Sequence, residues 1–298
     1  MTWKFSFWTP GNCPASDSAT FGCASHGLAA PGIWSEPQTA SRVSAPTHFT
    51  GEVVAGRYAE VLEKLRQTPL VPQAAIILFS RGTGVEHFLE RWQELFPKIP
   101  AAGGAAARGA GQEHGELLPP AEDVAVLLLT DGPWQAETLN AHDAGPAWEF
   151  QADGPRTLAR LRQSSDGEWE PAAAVFRALQ TGSGRGKEDC ETITLSDSKG
   201  RNLHCSLAGD SLQTGADLPA EGKLQLRTTS RAAVAEKIRR FCAEPDALVF
   251  GCAGLRGLLE TPFETGARSL AGFMFGELVT LAGRPQFGNL MATRLIRK

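Results

Sequence analysis

The feature that most constrains this chain is a short, wholly apolar run that follows an amphipathic helix, once near residue 75 and again near residue 247. In VVAGRYAEVLEKLRQ, Val54, Tyr58, Val61, Leu62 and Leu65 lie on one stripe of a helix, and Pro69 and Pro72 stop it. AAIILFS (74–80) follows, and an apolar run of that length without polar alternation reads as a strand buried on both faces. A second amphipathic helix, VEHFLERWQELF, closes at Pro97, and IPAAGGAAARG (99–109) and the strand EDVAVLLLTDG (122–132) come next. Downstream, AAVAEKIRRFC (232–242) leads into the strand DALVFGCAG (246–254). LRGLLET, SLAGFMFGELV (269–279) and a closing strand FGNLMATRLI (287–296) complete the chain. A strand buried on both faces needs a covering layer on each side, so these runs predict an α+β chain with helices packed on sheets.

The two copies align residue by residue. Ala75–Gly82 pairs with Ala247–Gly254, and Ala102-Gly103 pairs with Ala271-Gly272; five residues after each matched glycine stands a charge, Arg108 in one copy and Glu277 in the other. Helix–strand–helix–strand order repeats as well, which predicts a pseudo-twofold duplication of two related α/β halves. The expected division is an irregular segment over residues 1–50, one half over 51–150 and the other over 151–298. Residues 1–50 are rich in Ser, Ala, Pro, Thr and Gly, with Lys4, Asp17, Glu36 and Arg42 as their charges. Between the copies, LARLRQ and PAAAVFRALQ suggest one or two helices over 153–181. ETITLSD (191–197) and NLHCSLAG (202–209) suggest a hairpin, and KLQLRTTS (223–230) a third strand. Because strands come as hairpins without crossover helices, the sheets are expected to be mixed or antiparallel.

Composition narrows the function classes. The net charge is −4 and no Lys/Arg stripe stands out, which speaks against nucleic-acid binding. The one basic cluster, Arg231, Lys237, Arg239 and Arg240, reads as a solvated helix face. No apolar run reaches the ~18 residues of a membrane span. MTWKFSFWTPGNCPAS has neither a long apolar stretch nor a small-residue cleavage site, so no secretory leader is expected. The six cysteines, at 13, 23, 190, 205, 242 and 252, are scattered without a CxxC, as reduced cytoplasmic thiols would be.

Familiar catalytic signatures are missing: there is no GxxxxGK[ST], HExxH, GxSxG, or GxGxxG after a strand. The six histidines have no helical partner of ligand type, so neither a metal nor a cofactor is expected. His142-Asp143 is the nearest approach to a polar pair and reads as loop chemistry. Two features stand out. Cys252 ends a buried strand before Gly254 and Arg256, where a helix start lowers a thiol pKa; the competing reading is a small buried side chain. Glu277 follows Gly272-Phe273-Met274-Phe275-Gly276, and a carboxylate after an apolar strand must be solvated, paired or facing a cleft. Binding an amine or guanidinium is one reading, and pairing with Arg256 or Arg284 is the other.

ALVFGCAGLRG, then AGFMFGELV, then PQFGNL resembles the C-terminal FIST domain, whose pattern is a strand ending in Cys-x-Gly-Arg, then Gly-Phe-x-x-Gly-Glu, then Phe-His-Asn. AAIILFS, IPAAGGAAARG and VAVLLL are similar to the N-terminal FIST domain, so the resemblance covers roughly residues 52–298. Cys252, Gly254, Gly272, Phe273, Gly276, Glu277, Phe287 and Asn289 match; Arg256 is offset by Leu255, Gly288 stands where His is usual, and Met291 where a hydroxyl residue often appears. The resemblance implies a sensory, small-molecule-binding protein, its ligand an amino acid or related metabolite, signalling through a partner protein. The ligand-binding set is then Cys252, Gly254, Arg256, Gly272, Phe273, Glu277 and Asn289, with Gly103 and Arg108 from the other half. The alternatives are a hydrolase or transferase using Cys252 as nucleophile, and a non-catalytic interaction scaffold.

Overall fold

A computed structural model describes residues 5–8, 21–24, 51–79, 84–105, 112–113, 116–117, 123–163, 165–181, 191–256, 258–259, 269–274 and 276–298. Strands β1 (Phe5–Trp8) and β2 (Phe21–Ala24) pair parallel. Then β3 (Gly51–Arg57) runs into α1 (Tyr58–Gln67), followed by β4 (Ala74–Phe79), α2 (Val85–Leu95) and β5 (Ala101–Ala105). The short β6 (Gln112–Glu113) and β7 (Glu116–Leu117) precede β8 (Asp123–Leu129) and β9 (Trp134–Asn140). Next come β10 (Ala147–Ala152), β11 (Thr157–Arg162), β12 (Glu170–Pro171) and α3 (Ala172–Thr181). They are followed by β13 (Glu191–Ser196), β14 (Asn202–Leu203), β15 (Cys205–Ala208), β16 (Ser211–Thr214), β17 (Leu224–Ser230) and α4 (Arg231–Cys242). The chain ends with β18 (Ala247–Cys252), α5 (Ala253–Arg256), β19 (Leu270–Met274), β20 (Glu277–Leu281), β21 (Arg284–Phe287) and β22 (Met291–Arg297). The architecture is α+β with mixed sheets.

The chain divides into two compact units, the first formed by Met1–Leu139, Arg239–Phe287 and Met291–Lys298, the second by Asn140–Ile238 and Gly288–Leu290. Both copies of the repeated pattern lie in the first unit. The first copy supplies β3, β4, β5 and β8 of a six-stranded sheet in the order β21-β20-β5-β4-β8-β3, which β20 and β21 of the second copy extend. The second supplies β18, β19 and β22 of a four-stranded sheet in the order β19-β18-β22-β9. In each, the apolar strand is flanked by a parallel neighbour (β5 or β19) and an antiparallel one (β8 or β22). Ala75, Ile77 and Phe79 face α1 and α2 together with Val61, Phe88 and Trp92. Ile76 and Leu78 join Trp134, Leu248, Phe250 and Leu295 in a core between the two sheets. Two-sided burial is the reason these runs carry no polar alternation.

Facing decides how the copies match. Leu78 and Phe250 share the inner core, and they pair with Gly104 and Gly272 respectively. The structural equivalent of Gly272 is therefore Gly104, one residue beyond the glycine that the sequence match selects, because a one-residue shift turns a side chain to the opposite face. Gly103 pairs with Ile77 at φ +133, and a Cβ there would run into the Ile77 carbonyl oxygen.

In the second unit the sheet order is β14-β13-β17-β10-β11-β16-β15, with β12 on β11. One face buries Leu158, Leu161, Leu195, Leu203, Leu212, Leu224 and Leu226 against Val175 and Phe176 of α3. The segment LARLRQ, expected to be helical, is strand β11. Gln151 pairs with Arg160 but Ala152 with Leu158, so the ladder skips Ala159. That bulge sends Leu158 and Leu161 to one face, an i, i+3 spacing that mimics a helix. The hairpin expected from residues 191–209 ends at His204: β14 pairs with β13, whereas β15 pairs with β16.

Candidate functional site

In the first unit, the facing sheets each bring one chemically active side chain to the seam between them. Cys252 closes β18 on the face of Leu248 and Phe250, which belong to the inner core. Glu277 opens β20 beside Leu278, whose side chain belongs to the helix-covered core, so alternation turns Glu277 inward. The turn before it is set by Gly276 at φ 82, whose carbonyl accepts the Ala105 N–H at 2.8 Å. Glu277 then pairs with Gly104 across the ladder.

Glu277 is 0 % exposed. Its Oε1 accepts the Met291 N–H at 2.9 Å, and its Oε2 is buried with no partner of good hydrogen-bond geometry among the described residues. Burial pushes the carboxyl up to about 7; the Met291 N–H, its own N–H and the Cys252 thiol act in the opposite direction without cancelling that effect. Neither Arg256 nor Arg284 is among these influences. Arg284 is exposed, and Arg256 donates Nη1–H to the Leu259 carbonyl at 3.2 Å, its guanidinium held below the usual range by burial. The site is thus a carboxyl poised to gain or lose a proton near neutrality, beside a thiol and with one unfilled oxygen.

Of the residues singled out from sequence, Cys252 and Glu277 come together here. Gly272 is buried opposite Phe250, and Gly103 lies opposite Leu278, where only a residue without a Cβ fits against the Ile77 carbonyl. Phe273 is on the reverse face, its ring covering Gly251 next to Ala292. Gly254 is exposed and Arg256 half-buried in the short α5 beyond Cys252. Asn289 belongs to the segment grouped with the second unit, and Arg108 lies outside the described residues. The Met291 N–H, Gly104 and a set of threonines went unread. Thr138 Oγ1 donates to the Thr280 carbonyl at 2.8 Å and lies 3.1 Å from Thr293 Oγ1, while Thr280 Oγ1 donates to the Ala101 carbonyl at 2.8 Å. Backbone donors leave no mark in a sequence, but the Gly-Gly doublet at 103–104 offers two faces, and a match by residue type selects only one of them. Among the described residues no group of His, Cys, Asp and Glu could hold a metal ion. Comparison with models of protein families gives no match for this chain, and no curated protein matches it.

Proposed function

We propose that this chain is a small-molecule-binding sensory protein of the FIST type, working in the cytoplasm and passing its ligand state to a partner protein. The observation that carries this reading is Glu277, a carboxyl of the first unit that is fully buried and whose Oε2 has no hydrogen-bond partner among the described residues. An isolated acid is costly to bury, and a cationic or zwitterionic metabolite such as an amino acid supplies the missing donor and charge. Cys205, Cys242 and Cys252 are not in disulfides, which accords with a reducing compartment, and among the described residues no helix is long and apolar enough to cross a membrane.

A thermal-shift screen against amino acids and common metabolites tests the reading. At about one hundred times its dissociation constant, a ligand stabilises the fold by about 2.7 kcal/mol, a melting shift on the order of 5 °C for a chain this long. Glu277→Gln removes most of that shift and leaves the apo protein folded; a shift unchanged in Glu277→Gln rejects the site. A cation held by ionised Glu277 also binds more tightly as pH rises through about 7.

One observation favours a second reading, an enzyme with Cys252 as nucleophile: the thiol donates toward a carboxyl that can take its proton near neutrality. Iodoacetamide separates the two. An activated Cys252 is alkylated well below pH 8, and Glu277→Gln slows that reaction; a Cys252 inert below pH 8 leaves the sensor.

A further inference from the structure

The second unit holds a group of buried polar side chains that no hydrogen bond among the described residues accounts for. Strands β13 and β17 set Leu195 opposite Leu226 in the leucine core, and Thr194 opposite Arg227 on the reverse face. Thr194 is 1 % exposed, yet its hydroxyl has no hydrogen-bond partner among the described residues, and neither has Arg227 Nε. The segment between β9 and β10 runs along the same strand. Arg227 Nη1–H donates to the His142 carbonyl at 3.2 Å, the Asp143 N–H donates to the Thr229 hydroxyl at 2.7 Å, and Lys237 Nζ pairs with Asp143 at 2.6 Å. The His142 ring is 2 % exposed, and neither ring nitrogen is hydrogen-bonded among the described residues. The nearby amides are already engaged, since Asn140 and Asn202 donate to each other at 2.7 and 3.1 Å and Ser196 donates to Asn202.

Folded proteins leave few buried polar groups unpaired, so Arg227 Nε, the Thr194 hydroxyl opposite it and the His142 ring call for a partner. What remains unfilled is an Nε–H donor on Arg227, a hydroxyl on Thr194, and one donor and one acceptor on a neutral imidazole. Arg227 and Lys237 outnumber Asp143 in charge. A group that accepts several hydrogen bonds and carries negative charge fits that set. We propose that His142, Thr194 and Arg227 form a binding site for a small oxyanion, the carboxylate or phosphate group of a metabolite, separate from the Glu277 site.

The electrostatics of the imidazole provide a handle on it. Burial, then Lys237 of α4 and Arg227 of β17, push His142 down to about 4, against a smaller opposing effect of Asp143. An anion seated beside the ring offsets both cations and draws a proton onto it, so binding strengthens as pH falls through the raised bound-state value toward 4.

Imidazole NMR on the full chain reads this directly, with the His142 resonance identified by its loss in His142→Gln. Sodium phosphate and sodium acetate are titrated separately at pH 5, with sodium chloride as the ionic-strength control. The expected result is a saturable shift with phosphate, acetate or both in the millimolar range, and a His142 pKa raised by at least about one unit in the bound state. The anion that saturates first identifies the headgroup. Arg227→Gln weakens binding at least about tenfold. Arg227→Lys, which keeps the charge but lacks the Nε–H, weakens it less, and Glu277→Gln leaves it unchanged. A resonance that drifts with phosphate and acetate only as it does with chloride means that water fills these groups and overturns the proposal, as does a titration unaltered in Arg227→Gln.

Discussion

At Glu277, burial and hydrogen bonding pull the carboxyl in opposite directions, and the net effect is a pKa near 7 against an ordinary 4.5. The folded protein therefore keeps a proton that the unfolded chain releases. Stability from this group is fully present below about 4.5 and is lost as pH rises through about 7, a loss of up to about 3 kcal/mol. Chemical denaturation of the first unit at pH 5 and pH 8 reads that loss, and Glu277→Gln, having no proton to lose, removes it; an equal pH dependence in the variant would place the titration elsewhere. Gly103 shows a constraint of a different kind. Its φ of +133 is one that side chains rarely adopt, and a Cβ would strike the Ile77 carbonyl, so β4 and β5 cannot stay paired around an alanine. Gly103→Ala should cost about 1–3 kcal/mol. Gly283, at φ 75 with nothing within 4 Å of its Cβ direction, is the control; its alanine variant carries only the dihedral cost of about 1 kcal/mol. Equal melting temperatures for the two variants would show that close approach at Gly103 does not matter.

Among the elements, legibility followed how completely a strand is buried. β4, β8 and β18 sit inside sheets with cover on both faces, and their uninterrupted apolar runs announce them. β9 (WQAETLN) was not anticipated because its sequence alternates only weakly, its residues beyond Trp134 being partly or largely exposed. β11 was misread for a definite reason, since the skipped Ala159 gives Leu158 and Leu161 a helical spacing on one face of a strand. Both leucines are 0 % exposed, so Leu158→Ala and Leu161→Ala should each destabilise the second unit by about 2–5 kcal/mol. Arg160→Ala, at an exposed position between them, should stay within about 0.5 kcal/mol. A helix would tolerate Ala159→Val poorly, whereas a strand accepts it. Loss of strand signal without loss of stability in the leucine variants would contradict the bulged strand.

Across the whole molecule, both copies of the repeated sequence pattern fall in one unit, and the second copy sends β18 to one sheet and β20 to the other, which places Cys252 and Glu277 in one seam. Sequence periodicity gives the copies but not which faces meet, because a match by residue type does not fix the parity of a strand; the choice of Gly103 over Gly104 shows the consequence. His142 is legible in the sequence only as half of a His-Asp pair in a loop, since its surroundings come from β17 and α4, some 85 and 95 positions downstream. The two titrating sites also make a joint prediction. His142 is held near 4, below its ordinary 6.5, so the unfolded chain binds the extra proton and stability is lost as pH falls from about 6.5 through 4. Glu277 acts with the opposite sign over an overlapping window, its stability lost as pH rises from about 4.5 through 7. With each swing worth up to about 3 kcal/mol, the contributions of the two groups to total stability nearly cancel between pH 4.5 and 6.5. Glu277→Gln then exposes the histidine slope, and the protein gains stability from pH 4.5 to 6.5. His142→Gln exposes the carboxyl slope, and the protein loses stability over the same interval. Isothermal denaturation across that range, read by one probe in each unit so that separate transitions are not averaged, distinguishes the two. Parallel curves for wild type and both variants would mean that neither buried group changes its protonation on folding.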